Sequence, residues 1–315
     1  MIVVCGEALI DLFVGRPSVD GIVAEAVTGG SPFNVALGLA RLGSPSAFLS
    51  TLSEDAFGDF LHLKLQQSQV DTRLLRRVPQ ATTLSVVATT ADRQPHYTFH
   101  EGGADRALVP ADLPDFSRDV TAIAASSYAL GVEPIGSAIE ALLQREQGRR
   151  FVSLDPNIRP RVLGDVAAFR PRFERLVGMA DLVKASVEDI ALLYGTADPA
   201  EVARGWLARG PNLVVVTAGD GGATAYFAQG SVTCEAHAVA VVDTVGAGDT
   251  FHAALLAHFD AQACLTIEAL AELTRDQVAA ALEFASAAAA VTCTRRGADL
   301  PSRADVDALS KGPRS

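Results

Sequence analysis

The chain has 315 residues and a mass of 32.9 kDa; 49% of the residues are hydrophobic, 20% are charged, and the formal net charge at pH 7 is −11. That length allows a large buried core, the apolar content confines expected disorder to the terminal KGPRS, and the acidity excludes nucleic acid as a default partner, since phosphate backbones demand basic patches. Cys5, Cys234, Cys264 and Cys293 show no metal-ligand spacing and no disulfide framework, the start MIVVCGEALIDLF lacks the basic and apolar regions of a signal peptide, and no segment has the uninterrupted apolar length of a membrane span. A cytoplasmic setting with no membrane partner is the expectation.

In chain order, short apolar runs alternate with helical patterns. The runs are IVVCGEAL, SAFLSTLS, AIAASSYALG, FVSLDPN, ADLVKAS and LVVVTAG, and amphipathic stretches lie around 33–42, 56–69, 135–147, 166–178 and 199–209. This alternation predicts an α/β fold, a mostly parallel sheet with helices on both faces. Ligands of such sheets gather at the carboxyl ends of strands, where Gly6, Asp155, Lys184 and Thr217 follow or close a run. Two segments break the rhythm. Residues 84–103, LSVVATTADRQPHYTFHEGG, read as a β-hairpin turning at ADRQP, and residues 10–28 offer two more short extended pieces. Together they predict a small sheet, a lid over one side of the site, spanning about 12–30 and 84–105 of a single domain of residues 1–315. Residues 276–294, rich in alanine, predict a helix packed on the core.

Two glycine-rich stretches stand at predicted helix starts. In GGSPFNVALGLARLG, residues 29–43, Gly29 and Gly30 precede Ser31 and Pro32, which suit a helix cap and first position, and Asn34 falls in the first turn. In VDTVGAGDTF, residues 242–251, Gly246, Ala247 and Gly248 lead into an apolar helix beginning near Asp249. First-turn N–H groups lack intrahelical partners and the helix dipole adds positive potential, so an anion can be held there without a lysine. A carboxylate beside such an anion hole points to proton removal, although an aspartate near a helix start also serves as a plain cap. No G-x-x-x-x-G-K-[ST], G-x-G-x-x-G, H-E-x-x-H or G-x-S-x-G pattern occurs, which removes support for P-loop, dinucleotide-binding, zincin and hydrolase chemistry.

The two stretches together resemble the signatures of the ribokinase-like (PfkB) family of carbohydrate kinases; DTVGAGDTF matches its D-T-x-G-A-G-D-T-F pattern from Asp243 to Phe251. The resemblance runs from GEALIDLF to TRRGADLPS and is greatest to the bacterial fructokinases. It implies a three-layer ribokinase-like sandwich with a small β-sheet lid, association as a homodimer through that lid, and transfer of the γ-phosphate of ATP to the 6-hydroxyl of D-fructose with Mg²⁺ present and K⁺ as a candidate second cation. Its alternatives are 2-keto-3-deoxygluconate kinase, a nucleoside kinase, and a sugar-sensing protein that does no catalysis.

Carried onto these residues, the resemblance implies Asp249 as general base and Gly246, Ala247 and Gly248 as the anion hole. Asp11, Gly29, Gly30, Asn34 and Arg159 of DPNIR become the sugar wall, and Lys184, Thr217, Gly219 and Gly222 the nucleotide contacts. Several have a plainer reading: Asp11 as a strand-end turn, Asn34 as a local cap, Arg159 in a surface salt bridge, Gly219 and Gly222 of VVVTAGDGGA in a hairpin turn. Where the family often has N-x-x-E near Mg²⁺, this chain reads Ser186-Val187-Glu188-Asp189, which makes Asp189 the candidate near the metal. Asp243, with the loop around Gly297, is the candidate for a monovalent cation or for fixing the loop.

Overall fold

The computed structural model of the chain describes residues 1–15, 18–89 and 95–310; Ala91–Gln94 of the expected hairpin turn and the KGPRS terminus lie outside them. The central sheet has nine strands: β1 (Ile2–Cys5), β4 (Ser46–Ser53), β5 (Leu75–Val78), β8 (Ala122–Ser126), β9 (Phe151–Asp155), β10 (Leu182–Ser186), β11 (Leu213–Thr217), β12 (Ala223–Phe227) and β13 (Gly230–Cys234). Their spatial order is β13-β12-β11-β10-β9-β8-β1-β4-β5, and every pairing is parallel except those of β12 with its two neighbours.

The apolar runs are continuous because both faces of this sheet are covered. In β1, Ile2 and Val4 enter one core while Val3 and Cys5 enter the other. The first core packs under α1 (Ser31–Arg41), α2 (Ala56–Gln67), α8 (Ala247–Ala261), α9 (Ile267–Ala271), α10 (Arg275–Cys293) and α11 (Arg303–Ser310). The second lies under α3 (Ile135–Glu146), α5 (Val166–Val177), α6 (Val187–Tyr194) and α7 (Pro199–Leu207); the one-turn α4 (Pro160–Leu163) precedes α5. Helix, sheet and helix make the three layers. Among the described residues no helix is long and apolar enough to cross a membrane, and the four cysteines form no disulfide.

A second sheet of four strands stands apart, in the order β3-β2-β6-β7: β2 (Leu9–Val14), β3 (Ala24–Gly29), β6 (Leu84–Thr89) and β7 (Pro95–His100). These are the expected lid pieces. Asp11 therefore sits within a lid strand, opposite Val27 and Ser85, and not at the end of the first core strand. The cap of α1 is also shifted by one residue. Gly30 caps the helix without a side-chain bond, which leaves the Ser31 hydroxyl to bond that of Ser126 at 3.1 Å.

Candidate active site

The turn into α8 is clamped from outside the helix. Val242 and Asp243 donate their N–H groups to the Cys293 carbonyl (2.8 and 3.3 Å), and the Asp243 carboxylate accepts from the N–H groups of Val245 (3.1 Å) and Gly297 (2.9 Å). Gly246 caps the helix at φ +80°, and a Cβ there would lie 2.7 Å from that of Ala298. Only glycine fits both the backbone and the space. With no side-chain cap, the first turn keeps its positive potential for an anion. The N–H of Ala247 itself donates to the Thr244 carbonyl at 3.2 Å, so the turn uses that donor internally.

Asp249 is buried in this first turn, and three segments meet on its carboxylate. Asn34 of α1 donates to Oδ2 at 2.8 Å, and Asn157, from the loop after β9, donates to Oδ1 at 3.1 Å. Asn157 reaches it from a left-handed backbone at φ +36°, a conformation asparagine tolerates better than most residues. Its place within DPNIR and its capacity for positive φ were the available signals for it. His252, one turn further along α8, does not compete as a base. Burial, followed by the Lys184 charge, pulls its pKa to about 3, and its Nε2 is engaged with the Ser153 hydroxyl at 2.7 Å.

Lys184 Nζ bonds Asp155 Oδ2 at 2.7 Å, with both side chains buried. A Cβ on Gly248 would lie 3.3 Å from the ammonium, so this charge sits against the anion-hole turn. Burial pushes Asp155 up to about 6 although Lys184 opposes it, with Asp189 and Asp249 pushing the same way as burial. Burial alone would lower the Lys184 pKa, but Asp155, Asp189 and Asp249 outweigh it and the net shift is upward. Lys184 stays protonated. The Asp189 carboxylate is occupied by the start of α6: Oδ2 accepts from the Ser186 N–H and hydroxyl (2.9 and 2.7 Å), and Oδ1 from the Ile158 N–H (2.7 Å).

These groups face one cleft of about 640 Å³ between the lid and the carboxyl ends of the strands. Asp11, Gly30, Asn34, Arg159, Lys184, Asp189, Thr217, Gly219, Gly246, Gly248 and Asp249 all line it. Burial raises the Asp11 pKa against the lowering effects of the Ser85 hydroxyl and Arg159. Gly29, Gly222, Asp243 and Ala247 stand behind the lining. A Cβ on Gly29 would come within 2.4 Å of Asp11 Oδ2, so this glycine makes room for the neighbouring carboxylate. Gly222 belongs to the turn joining β11 to β12. The lining also includes Glu7, Ser85, Phe99, Tyr128 and Glu188, none of which the motifs single out. Glu7 lay in plain view within GEALIDLF, but only its contacts distinguish it from an ordinary strand-end carboxylate.

A model of the pfkB family of carbohydrate kinases matches residues 1–305. Among curated proteins, a fructokinase of Rhizobium leguminosarum bv. trifolii is 38% identical over 87% of this chain and 84% of its own length. Two solved structures, each 29% identical, cover 98% of this chain and 97% of their own: the ATP-bound fructokinase of Xylella fastidiosa (TM-score 0.90) and a fructokinase double mutant of Vibrio cholerae O395 holding fructose, ADP and potassium ion (TM-score 0.83). Matched along nearly its whole length by one family and by fructokinase relatives, the chain belongs to the pfkB family of carbohydrate kinases and is an ATP-dependent sugar kinase.

Proposed function

We propose that the acceptor is D-fructose, phosphorylated on its 6-hydroxyl, with Asp249 as the general base. The observation that carries this reading is the Asp249 carboxylate itself, buried at the start of α8 and aimed by two neutral amides. The acceptor hydroxyl loses its proton to Asp249 as its oxygen attacks the γ-phosphorus and the bond to the ADP oxygen breaks. The N–H groups of Gly246 and Gly248, backed by Lys184, meet the charge on the transferring oxygens, with Ala247 opening the helix beside them. Asp11, Gly30, Asn34 and Arg159 hold the sugar, and Gly29 leaves room for Asp11. Lys184, Thr217 and Gly219 flank the nucleotide, and Gly222 shapes the turn beneath it.

The donors near Asp189 are the exposed Glu188 carboxylate and hydroxyls, a set that suits Mg²⁺ held chiefly by phosphate and water. When bound, Mg²⁺ neutralises phosphate charge. Asp243 and the Gly297 loop, already joined by a hydrogen bond, are the proposed seat of K⁺. Exposed Val19, Ile22 and Val23 at the tip between β2 and β3 support a homodimer through the lid. Four cysteines outside any disulfide fit a cytoplasmic enzyme.

Two observations bear on the acceptor. Asp11 lines the cleft, whereas His100 and Arg106 do not, and Arg106 is paired with Glu101 at 3.1 Å; this favours a neutral sugar. Arg161 lines the cleft beside Arg159, which keeps 2-keto-3-deoxygluconate as the second reading. Coupled ADP-release assays over a sugar panel decide between them, with fructose expected to give the highest kcat/KM. Asp249→Asn keeps the shape and removes basicity, so its turnover should fall by at least about a hundredfold while sugar binding persists. Higher kcat/KM for the keto-deoxy acid overturns the choice of sugar; an active Asp249→Asn overturns the base.

A further inference from the structure

The roots of the neighbouring lid strands β6 and β7 meet on one carboxylate. Asp105 follows β7, in a short 3-10 turn (Ala104–Arg106), and is 1% exposed. Its Oδ1 accepts from the hydroxyl of Thr83, the residue before β6. That hydroxyl in turn accepts the N–H of Gly102, after the end of β7, at 3.1 Å. Asp105 Oδ2 accepts from the Tyr128 hydroxyl at 2.9 Å. Tyr128 belongs to the core wall of the cleft, whereas Ser85 of β6 and Phe99 of β7 line the cleft from the lid. Thr51, in β4 of the central sheet, also holds this turn, donating its hydroxyl to the Ala104 carbonyl at 2.5 Å.

We infer that Asp105 is a positioning residue for phosphoryl transfer, setting the acceptor-facing lid strands β6 and β7 against the core wall through Thr83 and Tyr128. Asp105 does not line the cleft, so it acts through Thr83 and Tyr128. A buried carboxylate with two hydroxyl donors fixes both distance and direction, because misplacing either donor leaves a buried charge short of a partner. The residues at the nucleotide end, Lys184, Thr217 and Gly219, come from β10, β11 and the turn after β11, away from these contacts. Loosening the Asp105 node should therefore harm the acceptor side selectively. This rests on the reading of the lid-side wall as the sugar wall, but not on which sugar is used.

The test compares Asp105→Asn, Thr83→Val and Thr83→Ser, each checked for folding by its thermal melt, with the best acceptor of the sugar panel. Asp105→Asn and Thr83→Val should raise the acceptor KM by about tenfold, the weight of one charge-assisted hydrogen bond, with the ATP KM within about twofold of wild type. Both should increase ATP hydrolysis without acceptor relative to sugar phosphorylation, and weaken the acceptor-induced hydrogen-exchange protection of residues 84–89 and 95–100. Thr83→Ser, which restores the hydroxyl, should return all three readouts to wild type. Unchanged acceptor KM and lid protection in folded Thr83→Val would overturn the inference, as would parallel rises in both KM values that Thr83→Ser does not correct. A wild-type enzyme that phosphorylates no sugar in the panel would instead count against the sugar-kinase reading.

Discussion

Replacing Lys184 by methionine removes an ammonium from a site where Asp155 has no access to water. At the observed 2.7 Å the gross attraction of the pair is about 6 kcal/mol at an effective dielectric constant of about 20, and desolvation of both ions offsets much of it. The net worth of the pair is thus small, but breaking it from one side is not. Lys184→Met strands a buried carboxylate, for which the expected loss is about 3–5 kcal/mol by urea unfolding at neutral pH. Part is recoverable by protonation, since burial already holds Asp155 up at about 6, and removing Lys184 pushes it higher. The deficit should therefore shrink as the pH falls toward 5, and the double variant Lys184→Met/Asp155→Leu should regain most of it. Kinetically, the ammonium beside Gly248 lends positive potential to the anion-hole turn, so the double variant should fold well yet turn over at least about tenfold more slowly. A single variant destabilised by less than about 1 kcal/mol would refute the reasoning, because it would mean that Asp155 finds water or another partner.

Glu7 yields a pH prediction of unusual sign. Burial, opposed by hydrogen bonds from its own backbone, Ser127 and Ala129 and aided by the Asp105 charge, lifts its pKa from 4.5 to about 8, so between those values the folded chain retains a proton that the unfolded chain has released. Stability contributed by Glu7 is complete below about pH 4.5 and falls, by up to about 1.4 kcal/mol per pH unit, as pH rises toward 8. Glu7→Gln should flatten that slope in urea titrations; Cys5, Asp105, Tyr128 and Arg106, the ionisable groups around it, remain unchanged, and an unaltered slope contradicts the assignment. At the other end of the site, replacing K⁺ with a large organic cation should slow the wild type, and Asp243→Ala should abolish that sensitivity; a wild-type rate indifferent to K⁺ leaves Asp243 as a clamp on the Gly297 loop.

The strands were legible because residues such as Val183 and Val214 are buried on a doubly covered sheet, which writes unbroken apolar runs into the chain. The turn that carries Gly246 and leads to Asp249 was legible for a different reason, since the proposed backbone anion hole needs a local order of small residues before a helix. Asn157, Glu7 and Asp105 were not. Each acquires its role from a partner distant in sequence: Asn157 from Asp249, Glu7 from Ala129, Asp105 from Thr83 and Tyr128. No spacing rule encodes such pairs. Asp11 shows the same limit within one strand, because alternation predicts an extended piece but cannot tell a lid strand from the end of a core strand.

Asp249 and Asp155 are held in opposite ways, and on the proposed reading the difference matters for phosphoryl transfer. Asp155 is tied to a cation, while Asp249 is tied to the amides of Asn34 and Asn157. An amide orients a carboxylate through hydrogen bonds alone, whereas a cation in the same place would compete with the incoming hydroxyl for it. The buried Lys184 ammonium is instead turned against the Gly248 backbone, where the proposed transfer would develop charge on the transferring oxygens. Asp155 keeps that ammonium fixed. On the proposed reading, proton removal and phosphate stabilisation, which need opposite electrostatic surroundings, thereby fall to different groups at the first turn of α8.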